Sequence, residues 1–246
     1  MKHQLFTHSE SLSLRVADFL RNAIINGEWE PGQRLNELLI ASKLGISRSP
    51  IREAFRILES ENLVDINSRR GAFVRKLSKK EVEEIYTIIR IVEKTALQLT
   101  LKNMTLDRQK ELRSIIQQIE SILKKNKIQK FMDFSMRLHN FIIKGSKNDL
   151  LIRIYGYLQP QRERLRRLIG TEKEDLINSL KEHIAISKAL LKGNDEEADR
   201  LLTRHIDEGI KRILKNLPKN MTNGTKEIDV GLRPKWSSRK QGSSVK

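Results

Sequence analysis

Three arginines at one helical spacing and three histidines spread over the second half of the chain offer the most chemistry. Arg48, Arg52 and Arg56 follow one another at intervals of four, which puts them on one face of any helix that holds them. Guanidinium groups on such a face can read a guanine edge through two parallel N–H bonds, and they also suit phosphate oxygens. Ser47 and Ser49 flank Arg48 at the head of that segment. Short hydroxyls and unpaired backbone N–H groups at a helix start favour anions. Arg70 and Gly71 stand in a polar turn further on, where arginine suits a narrow groove and glycine lets backbone approach phosphate closely. Arg34, just after Pro31-Gly32, is a further candidate contact. Taken singly, the arginine face also reads as a solvated basic surface and the turn as an ordinary one.

His139, His183 and His205 fall in three separate stretches of helical period. Helical bundles build metal sites from side chains on facing helices. Three neutral imidazoles can hold zinc or another divalent metal, with water completing the shell. Their spacing equally allows ordinary polar groups of a core or surface. Arg90 can bind a carboxylate bidentately or pair with Glu93 or another acid. The run Arg162, Arg164, Arg166, Arg167 reads as a solvated face, or as a contribution to a dimer interface.

The elements that must position these residues follow from periodicity. Leu12, Val16, Phe19, Leu20 and Ala23 mark a first helix over 11–26, stopped by Gly27. Asn36 can cap a second, short helix with Leu39, Ile40 and Leu44 as its buried face. Gly45 permits a tight turn, since glycine tolerates positive φ. Ser47 or Ser49 can cap a third helix with Pro50 in its first turn and Ile51, Ala54, Phe55 and Leu58 inward. Residues 63–66 and 72–74 are short β-type runs around Asn67 to Gly71, a hairpin. The order helix, turn, basic helix, basic hairpin is that of a winged helix-turn-helix, whose third helix enters the major groove of DNA.

After Leu77 the composition changes. Ser78-Lys79-Lys80-Glu81 has capping-box spacing. From there to Leu217 the helical period persists, broken at Asn103, Asn126, Gly145 to Asn148, Gly170 and Gly193-Asn194. The expectation is an all-helical bundle of about six or seven helices, so the chain is mainly α. Three segments result: 1–77 a winged helix-turn-helix, 78–217 a helical domain, and 218–246 a basic, disordered tail.

Bulk properties agree with a polyanion partner without locating its site. The 246-residue chain carries a net charge of +17, a field that favours fast, salt-sensitive encounter with polyanions. Eight basic and four acidic residues lie between Lys43 and Lys76, but comparable charge recurs near 124–130 and 162–167. There is no cysteine, which excludes disulfides and thiolate metal sites. No apolar run reaches the roughly 20 residues of a membrane span, and the first residues lack a secretory signal's apolar core. The expected location is cytoplasmic, with no membrane partner.

The stretch PGQRLNELLIASKLGISRSPIREAFRILESENLVDINSRRGAFV resembles the DNA-binding domain of the GntR family of bacterial transcription regulators. The matching pieces are Pro31-Gly32-x-x-Leu35, Leu44 to Pro50, Arg52-Glu53-Ala54, Leu58, Gly71 and Val74. The resemblance implies a homodimer that places two recognition helices on a palindromic operator in double-stranded DNA. It implies base and phosphate contacts by Ser47, Arg48, Ser49 and Arg52, with Gly71 in the wing. One further family contact, often an arginine of the second helix, falls on Leu38. Residues 80–214 more loosely resemble the FadR C-terminal domain (FCD) subfamily, through Tyr86-x-x-Ile89-Arg90-x-x-x-Glu93, Leu138-His139-Asn140, Asn148-x-Leu150-Leu151, Glu182-His183-x-x-Ile186, Asp195-x-x-x-Ala198 and His205-Ile206. That subfamily holds a divalent metal with three histidines and one aspartate, and the metal helps bind a small carboxylate effector beside which Arg90 falls. The aspartate position is Ser135 here. Asp133, six residues before His139, points roughly 240° round the helix, so the fourth protein ligand is missing on this reading.

The function implied is a sequence-specific transcriptional regulator, a repressor under control of a small carboxylate. Two others remain open. One is a constitutive regulator whose effector site has decayed. The other is a metal-dependent enzyme carrying a DNA-binding module, against which the chain shows no phosphate loop, nucleophile elbow or partnered general base.

Overall fold

The computed structural model describes residues 11–125, 131–167 and 173–217. The proposed tail at 218–246 and the breaks at Asn126 and Gly170 lie outside them. The chain divides into two compact units between Leu77 and Ser78.

The first unit contains α1 (Leu12–Ile25), β1 (Arg34–Leu35), α2 (Glu37–Leu44), α3 (Arg48–Ser60), β2 (Val64–Asn67) and β3 (Gly71–Val74). Ser11 caps α1 by accepting from the Leu14 N–H. Asn36 caps α2 by accepting from both Leu38 and Leu39, which satisfies two of the helix's orphan donors. Gly45 ends α2 in the left-handed region, at φ 65°, and frees the chain to turn into α3. The α3 stripe Ile51, Ala54, Phe55 and Leu58 is buried and packs on α1. Arg21 of α1 clamps Glu61 at the end of α3 through Nε at 2.7 Å and Nη2 at 2.6 Å. The inner side and far end of α3 are therefore fixed, and its polar side is left outward.

The hairpin forms, and it gains a third strand. The order is β1-β3-β2, antiparallel throughout. Arg34 pairs with Phe73, and Asn67 with Gly71. Two-residue β1 is too short to show any alternation, so periodicity could not find it. Two helix faces also differ from expectation. In α2 the buried pair is Ile40 and Ala41, while Leu39 is 57% exposed. An eight-residue helix shows about one turn to the core, and Leu39 stands 100° round from Ile40. In α1 the stripe is Val16, Ala17, Leu20, Ala23 and Ile24, which leaves Leu12 and Phe19 exposed.

The second unit is six helices among the described residues: α4 (Lys79–Lys102), α5 (Leu106–Lys124), α6 (Phe131–Gly145), α7 (Asp149–Arg166), α8 (Lys173–Leu191) and α9 (Asp195–Lys215). The capping box at the head of α4 is present in both directions, with Ser78 accepting from the Glu81 N–H and Glu81 accepting from that of Ser78. Thr105, Asn148 and Asn194 cap α5, α7 and α9 by accepting from the N–H groups of Arg108, Leu151 and Glu197. Helix α4 packs against α6, α7 and α9, and α8 against α5, α6 and α9. This arrangement turns one face each of α4, α6, α7, α8 and α9 toward a shared interior. No helix among the described residues is long and apolar enough to cross a membrane.

Candidate functional site

On the first unit, the outward face of α3 carries Arg48, Arg52 and Arg56, all exposed, as are Ser47 and Ser49. Ser47 occupies the N-cap position but makes no side-chain capping bond, so its hydroxyl is not committed to the helix. Arg48 and Arg52 are held by one carboxylate on the preceding helix. Glu37 accepts from Arg48 Nε at 2.6 Å and from Arg52 Nε at 3.0 Å. Burial by itself would raise the Glu37 carboxyl, but these two hydrogen bonds outweigh it and hold the group below the ordinary carboxylate value. Arg56 pairs instead with its neighbour Glu53 at 2.8 Å. In the wing, Arg70 is exposed and Gly71 sits at φ 93°, a region that side chains with a Cβ rarely adopt. The guanidinium of Arg34 lies over Gly71, about 3.5 Å from where a Cβ would stand. Strand β1 thus brings Arg34 to the same edge of the wing.

In the second unit, His139 of α6, His183 of α8 and His205 of α9 converge. They are buried, and their ligand-type nitrogens all lie within 4.8 Å of one another. His183 Nε2 is 3.1 Å from His205 Nε2. His139 Nδ1 lies 2.7 Å from Glu93, and His205 Nδ1 lies 2.7 Å from Glu182. An ionised carboxylate can only accept, so both Nδ1 atoms carry the proton and both Nε2 lone pairs are released. Among the described residues His183 Nδ1 is buried with no hydrogen-bond partner. Tetrahedral zinc would set imidazole nitrogens roughly 3.4 Å apart, close to the observed grouping. Carboxylates behind the ligands are how metal-binding histidines are usually oriented. The residues present therefore fit a divalent metal.

Two of the rings, His139 and His183, are kept neutral. Burial, followed by the charge of Arg162, holds His139 well below the ordinary histidine value, and burial holds His183 down likewise. Glu93 is wholly buried; burial pushes it up, but His139 and Arg162 overcome this and keep it ionised. His139 is neutral at pH 7, so we assign the larger part of that stabilisation to Arg162, whose Nη2 is 3.1 Å from Glu93. Tyr155 donates to Glu93 at 3.1 Å and accepts from Arg162. A cavity opens beside the histidines, lined also by Tyr86, Arg162, Arg166, Ser179 and Arg212. Burial and the like charge of Arg162 lower Arg166 to about 10, which leaves it cationic at neutral pH. Arg212 is tied to Glu182 at 2.9 Å.

The family model for the bacterial regulatory proteins of the gntR family matches residues 12–74, and the model for the FCD domain matches 84–208. The chain belongs to the GntR family. This GntR protein, with its FCD domain, is a DNA-binding transcriptional regulator and not an enzyme. It is 31% identical to the gluconate operon transcriptional repressor of Bacillus licheniformis over 186 residues, 73% of this chain and 76% of that one. It is 28% identical to the HTH-type transcriptional regulator YdhC of Bacillus subtilis over 214 residues, 84% of this chain and 94% of the relative. The crystal structure of a GntR transcriptional regulator from Rhodococcus sp. RHA1 superposes with a TM-score of 0.70 at 25% identity, covering 84% of this chain and 99% of that one.

Two arginine assignments change once the GntR chain is folded. Arg162, Arg164 and Arg166 are buried, where a solvated face was expected. Arg162 occupies the apolar stripe of α7 with Tyr155 and Leu165, and its charge is tolerated there because Glu93 meets it. Arg90 is not among the residues lining the cavity. It pairs with Asp207 at the α4–α9 seam, half-exposed, while Glu93, the partner considered for it, faces inward to His139. The side chains of Asp133 and Ser135 lie outside the described ones. Sequence reasoning gave Glu37, Glu93 and Glu182 no role in positioning the arginines of α3 or the histidines. Glu93 had left a signal, since it falls in step with Val82, Tyr86, Ile89, Ala96 and Thr100, a carboxylate inside an apolar stripe.

Proposed function

We propose that this regulator is a homodimeric repressor whose grip on a palindromic operator is set by a small carboxylate metabolite bound in the helical unit beside a divalent metal. Helix α3 lies in the major groove, with Arg48 and Arg52 on base edges and Ser47, Ser49 and Arg56 on phosphates. Arg34, Arg70 and Gly71 follow the backbone or the adjacent minor groove. In the helical unit, His139, His183 and His205 hold the ion, zinc or a similar metal. When bound, the metal supplies a positive centre for the carboxylate. Arg166 and Arg212 add cationic walls, and Tyr86 and Ser179 add hydroxyls. Arg90, paired with Asp207 away from the cavity lining, has no contact with the carboxylate on this reading.

The observation that carries the effector reading is the convergence of three buried imidazoles, two of which, His139 and His205, give their Nδ1 protons to Glu93 and Glu182, next to an arginine-lined cavity. Repression is supported by the relative that controls a gluconate operon. A second copy has a suitable surface in Ile88 and Ile91 of α4 and Leu150, Ile154 and Tyr157 of α7, exposed apolar residues on two helices that pack together. The ligand regulates only by favouring one dimer geometry over another.

The test is calorimetric titration of Zn²⁺ into chelator-treated protein, followed by thermal melts with gluconate as a first probe carboxylate. One metal site per chain is expected, lost in His183→Ala, with metal at a hundredfold over its Kd adding about 2.7 kcal/mol of stability. No metal uptake by the wild type, together with no shift from carboxylates, would contradict this and leave a constitutive regulator.

A further inference from the structure

The contacts of Glu37 set two arginines apart from every other basic residue on the α3 face. Both hydrogen bonds to this carboxylate come from Nε, at 2.6 Å for Arg48 and 3.0 Å for Arg52. Among the described residues neither arginine has a partner besides this carboxylate, so the terminal Nη groups of both are left uncommitted. The anchor is rigid. Glu37 is the first residue of α2, and the Asn36 cap fixes that turn through the Leu38 and Leu39 N–H groups. The Glu37 side chain is 20% exposed, against 55% and 58% for the two arginines. The carboxylate therefore sits behind the guanidinium groups rather than in front of them.

We propose that Glu37 is a positioning residue that sets operator specificity, holding Arg48 and Arg52 by Nε so that their Nη forks point at base edges and cannot swing to phosphates. The proposal rests on the reading of α3 as the groove helix. A free arginine finds a phosphate on any duplex and so binds without regard to sequence. An arginine tied at Nε keeps a planar pair of donors in one orientation, which a guanine edge accepts and a displaced phosphate does not. Because the two arginines share one anchor, their spacing along the groove is also fixed. The carboxylate's own charge opposes the phosphate backbone, so binding out of register is weakened more than binding in register.

The experiment compares full-length wild type, Glu37→Gln, Glu37→Asp and Arg48→Ala by fluorescence anisotropy on two duplexes of equal length. One carries the site selected from a random DNA pool and the other a scrambled sequence. Glu37→Gln should bind the scrambled duplex as tightly as wild type or more so, and lose roughly ten-fold in the ratio of selected to scrambled affinity, the share of one oriented base contact. Glu37→Asp keeps the charge at the helix start and shortens the reach. It should lose the same ratio with scrambled binding unchanged, and it serves if the glutamine variant folds poorly. Combining Glu37→Gln with Arg48→Ala should lower the ratio by less than the two single effects multiplied, because Glu37 acts in part through Arg48 and in part through Arg52. If both Glu37 variants keep the wild-type ratio while Arg48→Ala loses it, the clamp is overturned and the groove reading stands. If Arg48→Ala also keeps the ratio, both fall together.

Discussion

His139 and Glu93 make the plainest case of residues whose chemistry is set by burial. Burial and then Arg162 depress His139 to about 3, so in the fold it stays neutral across the mildly acidic range. In the unfolded chain it takes a proton near 6.5. Between those values the unfolded state binds more protons, so stability falls as pH falls. Glu93, held to about 2 against burial by His139 and Arg162, acts in the same direction below its unfolded value, as does His183 below 6.5. Chelator-treated protein should therefore unfold in urea at a constant midpoint from pH 8 to 7 and at steadily lower midpoints below about 6.5, each buried histidine contributing up to roughly 1.4 kcal/mol per pH unit. Circular dichroism at the helical minimum reads this directly. A profile flat to pH 4.5 would mean that the rings are not held neutral. The three histidines were legible in the sequence as candidates. Their pairing with carboxylates was not, because Glu93 and His139 are brought together only by the packing of α4 on α6.

At the scale of elements, α3 was the most legible because its apolar stripe has full helical period and its opposite face is basic without interruption. The caps were legible too, at Asn36, Ser78 and Gly45, since each depends on one residue and its immediate neighbours. Strand β1 and the rotation of α2 were not, because two strand residues carry no period and eight helical residues are placed by their neighbours. The buried arginines of α7 were misread because a run of charge was weighed as a run. Residue by residue, Arg162 stands in phase with Tyr155 and Leu165, and that phase was the usable sign. The cap at Asn36 has a consequence beyond its own helix, since the turn it fixes carries Glu37. Asn36→Ala should cost about 1 kcal/mol of stability and should also weaken binding to the selected duplex more than to a scrambled one. Urea unfolding and anisotropy on the same preparation check both halves. A stability loss with an unchanged affinity ratio would confine Asn36 to the helix.

At the scale of the molecule, the first unit presents the arginines of α3 outward, while the helical unit buries some of its arginines and leaves others of its cations, such as Lys80 and Lys110, exposed. On α3 the guanidinium groups are exposed, with Glu37 behind those of Arg48 and Arg52 and Glu53 beside that of Arg56. In the helical unit Arg162 and Arg166 are buried, and Arg162 is neutralised by Glu93. The same excess of basic residues, +17 over the whole chain, therefore serves two ends, which is why net charge could not locate the DNA-binding face.

Parallel selection of bound duplexes from a random pool by wild type and by Arg48→Ala tests the central claim, that the outward face of α3 reads bases. The wild type should enrich inverted repeats, and Arg48→Ala should lose its preference at one position in each half-site while keeping the rest. Identical enriched sequences from both proteins, or no two-fold symmetry in either pool, would contradict the account.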